Sequence, residues 1–479
     1  MSGPPDLERA LGDAPAVRVA REALGRETPA WIVGGAVRDA LLGESVRDID
    51  LAVEPGTEEP AARGIARAAG GFVFPLSEEH AVWRAVAHGG EWHTDLIALR
   101  ANTIEADLGL RDFTVNAIAV PLAGGDPINP TGGLADAEAR LLRAVSERSF
   151  AEDPLRLLRA ARLAARHGLE LDGETIALAR ASSSRAAEPA GERQFAELRG
   201  ILAGPDPLRG LALMDELGAT AAVLPELSRL QGVIQNPNHH LDVYGHTLAV
   251  LEHVLAVERD LPLYAGGEAR RVRELLDEPL ADELTRGGAL RFGALLHDVG
   301  KPETRAERAG YVTFIGHDRV GARIADDICR RLRASRRLSA HLQGLALHHL
   351  RLGFLVSERP LPPRLVYEYL RATEPVAADV TLLSVADRLS ARGGGALAGP
   401  EMIEAHLELA REMLPPALDW HRDGPPRPPV DGNRLAAEAG IRPGPEMGRI
   451  LEELRAQTFC GEISGPEQAL ARARELAAG

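Results

Sequence analysis

The spacing of hydrophobic residues changes once along the chain, near residue 140. Before that point short β-branched runs alternate with stretches of helical periodicity. The runs predict six strands: Trp31–Val33, Ile49–Val53, Gly71–Pro75, Val82–Ala87, Trp92–Leu99 and Ala117–Pro121. From about Ala151 onward the strand signals almost vanish, and the sequence becomes Ala/Leu/Arg/Glu-rich with helical spacing. The pattern predicts an α+β chain, with a small mixed-sheet head and a long helical body.

Segments rich in proline and glycine interrupt the helical part. The candidate breaks are Gly204–Pro207, Gln235–His239, Gly266–Gly267, Gly393–Pro400 and Asp423–Gly432. With the change of pattern, they predict a head at 1–140, a helical neck at 141–235, a helical domain at 236–400 and a helical tail at 401–479. The total of 479 residues suggests roughly three domains at about 150 residues each.

Charge and cysteine content restrict the classes of function. Lys+Arg 55 against Asp+Glu 70 gives a formal net charge of -15, so any contact with nucleic acid requires a local basic surface. Lys301 is the only lysine, and the positive charge is otherwise arginine. Cys329 and Cys460 lie far apart and form no CxxC pair. This argues against a disulfide framework or a thiolate zinc site and favours a reducing cytoplasm. No apolar run is long enough to span a bilayer.

The segment Ile32–Glu54 (IVGGAVRDALLGESVRDIDLAVE) carries the first candidate chemistry. A strand runs into Gly34–Gly35 and a helix follows. Glycines at such a turn let backbone N–H groups approach a phosphate, and the helix N-terminus adds partial positive charge. Arg38, in the first turn, could reach the same phosphates. A tight turn with a surface arginine explains the glycines equally well when they are taken alone.

Two carboxylates follow this turn. Asp48 and Asp50 stand two residues apart on a predicted strand, so both point to one face. Like charges side by side repel each other unless cations lie between them. A pair of Mg²⁺ ions roughly 3.5–4 Å apart would clamp the attacking and leaving oxygens of a phosphoryl transfer. An exposed strand edge with solvated acids is the alternative, but the glycine turn and Arg38 favour the metal interpretation. Asp95 on another strand is a candidate third carboxylate.

GGAVRDALLGESVRDIDLAV resembles the signature of class II tRNA nucleotidyltransferases and bacterial poly(A) polymerases, within the polymerase-β-like superfamily. Three further blocks are similar to family motifs in the same order: RDFTVNAIAV (111–120), SFAEDPLRLLRAARLAARHG (149–168) and GERQFAEL (191–198). Leu110 replaces the first arginine of the family's RRDFTxNA, and Leu163 replaces its usual aromatic residue. Residues 430–464 resemble the C-terminal segment of longer members. The resemblance implies a polymerase-β-like nucleotidyltransferase head.

The resemblance also implies roles for individual residues. Asp48 and Asp50 would be the catalytic metal ligands, for Mg²⁺. The implied nucleotide-binding residues are Gly35, Arg38 and Arg111 at the triphosphate, and Asp153, Arg156, Arg159 and Arg162 in the block where such enzymes read cytosine or adenine. The spacing by three places these last three arginines on one broad helix face. Pro154 is predicted as the first helical residue, with Asp153 as its N-cap. By themselves these residues fit a capped helix with a solvated basic face. The implied partners are the 3′ end of tRNA or another RNA, with CTP and ATP.

The helical body carries a second set of candidate ligands, in the order His…His-Asp…His…His…Asp. This order resembles the HD phosphohydrolase superfamily, whose core ligands are matched by His246, His297, Asp298 and Asp387. His317 and His348 are similar to the extra ligands of two-metal members, and Lys301 falls in the HDxGK stretch. Imidazoles with carboxylates suit Ni²⁺, Mn²⁺ or Mg²⁺ better than a structural zinc site. Any one of these histidines alone would be a core or surface residue.

Three functions compete on these observations. The first is addition of CMP and AMP to the 3′ end of tRNA, either as CCA or as A or C only. The second is a poly(A) polymerase, which shares all the head motifs. The third, from a different class, is an HD phosphohydrolase whose head only binds RNA. The intact Asp48, Asp50, Arg111 and Arg156 argue against the third.

Overall fold

Two structural units divide the chain between Val223 and Leu224. The computed structural model describes residues 7–77, 81–308, 310–395 and 398–478. Within these residues no helix combines the length and the apolar character that crossing a membrane requires.

A six-stranded mixed sheet forms the centre of the first unit. Its strands are β1 (Ala30–Val33), β2 (Ile49–Val53), β3 (Phe72–Ser77), β4 (Val82–Val86), β5 (His93–Ala98) and β6 (Ala119–Pro121). The strand order is β3-β4-β5-β2-β1-β6. β2 and β5 are parallel, with Asp50 opposite Asp95, and the other neighbouring pairs are antiparallel. The predicted α+β fold with a mixed sheet is confirmed.

Alternation along the strands separates the two faces of this sheet. Ile49, Leu51 and Val53 point into a core that also contains residues of the helices Pro15–Leu24, Gly35–Leu41 and Glu58–Ala68. Ala52 and Val33 belong to the smaller core on the opposite face. Since side chains two residues apart share a face, Asp50 lies on the face of Ala52.

Helices make up the rest of the first unit. Those around the sheet are Leu7–Gly12, Pro15–Leu24, Gly35–Leu41, Glu58–Ala68, Ile104–Leu108 and Gly133–Glu138. Those that follow are Ser149–Glu152, Arg156–His167, Gly173–Ala181, Gly191–Leu202, Pro207–Glu216 and Ala219–Val223. Short 3₁₀ turns lie at His88–Gly90, Thr114–Asn116 and Ser183–Arg185. Leu141–Leu142 and Glu170–Leu171 form a two-stranded parallel pair.

The start of one helix differs from the prediction. It begins at Arg156, and Pro154 lies in the turn before it. Asp153 still has the extended backbone of a capping residue, and its carboxylate accepts the N–H of Leu155 at 3.1 Å. The carboxylate therefore stabilises the turn that leads into the helix, because it satisfies an N–H that has no partner within the helix.

The second unit is mainly helical. Its helices are Pro225–Ser228, Val243–Arg259, Leu261–Ala265, Ala269–Asp277, Arg286–Leu296, Lys301–Thr304, His317–Arg331, Arg336–His348, Pro363–Thr373, Ala377–Ser390, Pro400–Asp423, Gly432–Ala439, Pro445–Phe459 and Pro466–Ala478, with 3₁₀ turns at Gly266–Glu268 and Gly353–Glu358. Two strand pairs that the sequence pattern missed are Pro279–Ala281 with Leu284–Thr285, and Ala306–Arg308 with Tyr311–Thr313. They are too short to show a period of two.

Packing in the second unit brings together the helices that carry the predicted ligands. Val243–Arg259 packs against Arg286–Leu296 and Ala377–Ser390, and His317–Arg331 packs against Arg336–His348. The last three helices enclose a separate small core, which includes Leu435, Ile450 and Leu454.

Candidate active site and metal centre

One cavity of about 470 Å³ in the first unit collects the residues predicted to bind a nucleotide. It is lined by Gly34, Gly35, Arg38, Asp50, Arg111, Asp153, Arg156, Arg159 and Arg162, among others. Asp48 does not line it. Leu110, at the position where the resemblance leads us to expect an arginine, is 42% exposed. Besides Arg100, the cavity carries five arginine side chains: Arg38 and Arg111 near the glycine turn, and Arg156, Arg159 and Arg162 along one helix. Its carboxylates are Asp50, Asp112 and Asp153.

The glycine turn leaves room for a close approach of charged groups. Gly34 has a φ of 71°, a value that L side chains rarely adopt. A Cβ at this position would also lie 3.2 Å from both Asp50 Oδ2 and Arg111 Nη1. Glycine is therefore required here by both the backbone conformation and the space.

Arg38 is held by three hydrogen bonds. Its Nη1 donates to Asn116 Oδ1 at 2.9 Å, and its Nε and Nη2 both donate to Asp39 Oδ1, at 2.9 and 2.6 Å. The guanidinium is almost completely buried. These bonds fix the side chain and leave two of its five N–H bonds for an anion in the cavity.

The carboxylates differ in their surroundings. Asp48 immediately precedes β2 and is exposed, and its Oδ1 accepts the backbone N–H of His93 at 2.8 Å. Burial and the charge of Asp95 raise the pKa of Asp50 to about 6, against the opposing effect of Arg111. Asp95 receives Arg84 on both oxygens at 2.7 Å. Asp95 is thus paired with an arginine and lies opposite Asp50 on the neighbouring strand, and its role as a third metal ligand stays a prediction.

Asp48 and Asp50 offer the hard oxygen donors that Mg²⁺ prefers. Burial and the neighbouring charge of Asp95 both disfavour the ionised form of Asp50 and raise its pKa. A divalent cation would favour the ionised form, so the donor set fits such an ion.

Asp153 and Arg156 are fixed by protein contacts on the opposite side of the cavity. Asp153 Oδ2 accepts Arg193 Nη2 at 2.8 Å, in addition to the capping bond on Oδ1. Arg156 donates to the carbonyl oxygens of Leu110 at 3.1 Å and Ser149 at 3.2 Å. Both side chains are therefore oriented before any ligand binds.

The other two arginines of this helix form ion pairs. Arg159 Nε lies 3.0 Å from Asp112 Oδ2, and Arg162 Nε lies 2.5 Å from Glu197 Oε2. The charge of Arg159 keeps the pKa of buried Asp112 below its usual value, although burial alone would raise it.

Sequence reasoning missed several partners at this site: Asp112, Asn116, Arg193 and Glu197. All four lie inside the quoted motifs RDFTVNAIAV and GERQFAEL, which is the signal that could have identified them.

Buried histidines and aspartates converge in the second unit. We refer to His246, His297, Asp298, His317, His349 and Asp387 as the histidine cluster. Potential ligand atoms of His246, His297 and Asp387 lie within 4.8 Å of one another, as do those of Asp298, His317 and His349. Asp298 Oδ2 lies 3.1 Å from His297 Nε2, and its Oδ1 lies 3.3 Å from His317 Nε2.

The hydrogen bonds of the cluster leave its ligand atoms unused. His297, His317 and His349 each have Nδ1 within 2.8 Å of the backbone carbonyl three residues earlier. Nδ1 is therefore the N–H donor, and Nε2 faces the cluster with its lone pair. His246 Nε2, His297 Nε2 and Asp298 Oδ1 are buried without a hydrogen-bond partner. Such a set fits a divalent metal ion, which would satisfy these atoms.

The predicted ligand His348 is corrected by the structure. His349, not His348, faces the cluster, with its Nε2 3.2 Å from His317 Nε2. His348 is half-buried, and its Nδ1 accepts Arg351 Nε at 2.9 Å. Neighbouring residues at a helix end point in directions about 100° apart, so only one of two adjacent histidines can join the cluster.

A cavity of about 810 Å³ opens onto the cluster. It is lined by Asp298, His317, His349 and Asp387, and also by Lys301 and His239. Lys301 Nζ lies 2.6 Å from Asp298 Oδ2. Burial would raise the pKa of Asp298, but its close interactions with His297 and with the Lys301 side chain hold it well below its ordinary value. His239, which the motif did not include, stacks edge-on against His246 at 4.6 Å.

Three family models match the chain. The model described as "Poly A polymerase head domain" matches residues 30–143. "Probable RNA and SrmB- binding site of polymerase A" matches 168–230, and "HD domain" matches 243–392.

Curated relatives match over nearly the whole length. An A-adding tRNA nucleotidyltransferase of Deinococcus radiodurans is 36% identical, with 92% of this chain and 94% of the relative covered. A CC-adding tRNA nucleotidyltransferase of Thermus thermophilus is 33% identical, with 92% of each covered.

Solved structures share the fold. A Thermotoga maritima CCA-adding enzyme complexed with tRNA matches with a TM-score of 0.59 at 21% identity, over 100% of this chain and 99% of that one. A CCA-adding enzyme complexed with CTP matches with a TM-score of 0.63 at 20% identity, over 100% and 99%. The predicted family is confirmed by the curated relatives: the chain is a nucleotidyltransferase enzyme that belongs to the tRNA nucleotidyltransferase family.

Proposed function

We propose that the protein adds CMP and AMP, from CTP and ATP, to the 3′ end of tRNA without a template. One observation carries the proposal: a single cavity contains Asp50, two arginines aimed at the glycine turn, and the fixed pair Asp153 and Arg156. These are the groups that nucleotidyl transfer needs at the α-phosphate, the outer phosphates and the base.

Within this proposal Gly35, Arg38 and Arg111 bind the triphosphate. Arginine forks match phosphate oxygens, and backbone N–H groups at the start of the helix Gly35–Leu41 add partial positive charge. Positioning and charge stabilisation provide most of the catalysis in such transfers, because little covalent chemistry is required of the protein.

Asp153 and Arg156 select the base by its Watson–Crick edge. Cytosine and adenine both present an exocyclic amino group next to a ring nitrogen that accepts hydrogen bonds, whereas guanine and uracil present a carbonyl oxygen. A carboxylate accepts from the amino group, and a guanidinium donates to the ring nitrogen. A carbonyl oxygen facing Asp153 would be repelled. Arg159 and Arg162 would hold the helix in place, through their ion pairs with Asp112 and Glu197.

Asp48 and Asp50 would hold Mg²⁺, which when bound lowers the pKa of the attacking 3′-hydroxyl and neutralises charge on the leaving pyrophosphate. The oxygen donors and the raised pKa of Asp50 support this assignment. The exposed Asp48 would stand toward the primer and solvent, and Asp50 toward the bound nucleotide.

The test is primer extension on tRNA that ends at the discriminator base, with CTP and ATP supplied separately and together. Addition of CCA with both nucleotides is the expected result. No incorporation of either nucleotide would contradict the proposal. A parallel reaction with Arg156→Ala is expected to reduce the preference for CTP and ATP over GTP and UTP more than it weakens triphosphate binding.

Partial addition is the second candidate, because the two curated relatives described above are an A-adding and a CC-adding enzyme. A tRNA ending in CC separates the possibilities. An A-adding enzyme extends only this substrate, a CC-adding enzyme extends only the shorter one, and a poly(A) polymerase continues beyond one adenosine.

We propose a separate phosphoester hydrolysis in the second unit, supported by the unpaired ligand atoms of the histidine cluster. The metal would be Ni²⁺, Mn²⁺ or Mg²⁺, and when bound it would lower the pKa of an attacking water and polarise the phosphate. The cationic Lys301 would bind the phosphate. The assay is turnover of 2′,3′-cAMP with Ni²⁺ or Mn²⁺, and activity unchanged by His297→Ala plus Asp298→Ala would contradict it.

The domain assignment belongs to the same proposal: a head at 1–140, a neck at 141–235, an HD-type domain at 236–400 and a tail at 401–479. The free thiols Cys329 and Cys460 suit a reducing compartment, so we assign the enzyme to the cytoplasm.

A further inference from the structure

A buried histidine lies behind the proposed triphosphate site. His167 is the last residue of the helix Arg156–His167, and its side chain is 0% exposed. Its Nδ1 lies 2.6 Å from Glu44 Oε1, and its Nε2 lies 3.9 Å from Asp39 Oδ1. Nε2 has no hydrogen-bond partner. The histidine therefore joins the helix that carries the base-reading residues to the helix that carries Arg38.

Asp39 is the link to the cavity. The same oxygen that faces His167, Oδ1, accepts both Nε and Nη2 of Arg38. Any group that competed for this oxygen would loosen two of the three hydrogen bonds that orient Arg38. Whether His167 can donate a hydrogen bond to Asp39 therefore affects the position of the Arg38 guanidinium.

Glu44 determines which ring nitrogen of His167 carries the proton. An ionised carboxylate only accepts hydrogen bonds, so the proton of a neutral His167 resides on Nδ1 and is donated to Glu44. Nε2 then carries a lone pair and cannot donate to Asp39. Burial and the charge of Arg38 lower the pKa of His167, which favours this neutral form.

The same three side chains could be regarded as ligands of a metal ion, since their ligand atoms lie within 4.8 Å of one another. Arg38 argues against an ion here. Its guanidinium already occupies Asp39 Oδ1 at 2.6 Å, and its charge would repel a cation at that distance. A hydrogen-bond relay explains the arrangement without this repulsion.

We propose that Glu44 is a positioning residue for nucleotide addition: it fixes the tautomer of the neighbouring His167, and this keeps Asp39 bound to Arg38 at the triphosphate. The inference rests on the proposed function of Arg38. Removal of Glu44 frees the His167 tautomer, weakens triphosphate binding and leaves the chemical step nearly intact, whereas removal of the His167 ring takes away the competing donor and leaves triphosphate binding unchanged.

The test compares steady-state addition by Glu44→Ala, His167→Leu and Glu44→Gln. In Glu44→Ala, the KM for CTP or ATP rises on the order of fivefold while kcat changes less than about twofold, because binding common to the ground and transition states is lost. Inhibition by pyrophosphate weakens by the same factor, and the KM for tRNA is unchanged. Glu44→Gln retains the wild-type KM, since an amide oxygen still accepts from Nδ1. In His167→Leu the KM stays at the wild-type value, because leucine cannot donate to Asp39.

Controls separate the relay from general destabilisation. Glu22→Ala removes an exposed glutamate from the helix Pro15–Leu24 and is expected to leave every parameter unchanged. Thermal unfolding of His167→Leu shows whether the buried site tolerates the change. If the site does not tolerate His167→Leu, the test rests on the Glu44 variants, because Glu44 is half exposed. Glu44→Ala with a wild-type KM, or a Glu44→Gln as defective as Glu44→Ala, overturns the proposal.

A double mutant distinguishes failure of the relay from failure of the proposed function. Arg38→Ala is expected to raise the KM for CTP or ATP more than Glu44→Ala does. Glu44→Ala is expected to add nothing further in the Arg38→Ala background, because residues that act through one group are not additive. A normal KM in Arg38→Ala would contradict the role of Arg38. An additive effect of Glu44→Ala would contradict the relay.

Discussion

The cavity of the first unit and the histidine cluster of the second both gather charged side chains, but they treat them differently. In the first unit the charges pair with one another. Arg84 binds Asp95, Arg159 binds Asp112, and Arg193 binds Asp153. In the cluster His246 Nε2 and His297 Nε2 are buried without hydrogen-bond partners, and Asp298 has a single cationic lysine, Lys301, within an ion-pair distance.

The difference indicates how long each site holds its ligand. An unpaired buried polar group costs about 1–3 kcal/mol, so the cluster is costly to the fold unless an ion stays bound. Paired charges carry no such cost, and in the first cavity only Arg111 Nε, among the described charged atoms that line it, is buried without a hydrogen-bond partner. We expect this cavity to stay folded while nucleotides enter and leave. We therefore expect a resident metal in the second unit and an exchangeable one in the first.

The largest expected effect is on the carboxylates of the first cavity. Asp50→Ala is expected to reduce nucleotide addition by about a thousandfold or more, since several kcal/mol of transition-state stabilisation is lost. Asp48→Ala is expected to do the same without loss of folding, because Asp48 is exposed. Incorporation of labelled AMP or CMP into tRNA measures the effect, and unfolding curves control for folding. Retained incorporation would refute the metal assignment at these two residues.

Metal retention tests whether the second unit holds a resident ion and the first unit an exchangeable one. After gel filtration in metal-free buffer, the wild-type protein is expected to keep a divalent ion, and His297→Ala plus Asp298→Ala is expected to lose it. A ligand bound only to the folded state adds about 2.7 kcal/mol at one hundred times its Kd. A chelator should therefore lower the unfolding temperature of the wild type but not that of the double variant.

The control for metal retention is Asp48→Ala plus Asp50→Ala, which should retain as much metal as the wild type. Elemental analysis of each protein decides the outcome. Equal metal loss from both double variants, or from neither, would remove the distinction between the two sites.

A smaller effect is expected from replacing single histidines, and it tests whether His349 or His348 is the metal ligand. His349→Ala is expected to weaken the retained metal at least about tenfold more than His348→Ala, since ligand loss is large and His348 has its Nδ1 on Arg351. The two variants change the same residue type at adjacent positions, so His348→Ala is a matched control. Metal affinity by competition with a chromogenic chelator measures both. A greater effect of His348→Ala would reverse the correction.

The sequence predicted the strands of the first unit, but it did not predict the side-chain pairs between its elements. All six strands are found close to their predicted positions, because each short β-branched run is a local feature of the sequence. The DxD spacing predicted Asp50 on a face away from Ile49 and Leu51, since strand geometry alone determines that.

What the sequence could not provide depends on pairing in space. Arg84 meets Asp95 only because β4 pairs with β5 in the register that sets them opposite each other. Arg193 reaches Asp153 from a separate helix. The choice between His348 and His349 depends on the angular position of a helix end, which a motif of two adjacent histidines does not specify.

The smallest expected effect concerns the pair between Arg193 and Asp153. Arg193→Ala removes the donor on Asp153 Oδ2 and leaves the capping bond from Leu155 on Oδ1. Since Arg193 is half exposed, the pair contributes only about 0–1 kcal/mol to stability. Its expected effect is instead on selectivity: the preference for CTP and ATP over GTP and UTP falls about fivefold, as the carboxylate rotates more freely.

Arg193→Lys should recover part of this selectivity, because an ammonium group can still donate to one oxygen but lacks the fixed geometry of the fork. Arg180→Ala is the matched control, since Arg180 is an exposed arginine paired with Glu216 in the same unit. Competition between CTP and UTP for one tRNA measures the ratio directly. If Arg193→Ala lowered the stability but left the ratio intact, the ion pairs of the first cavity would serve only the fold. The ion pairs of the first cavity would then be no evidence that this site is prepared for nucleotides, and the contrast with the histidine cluster would be lost.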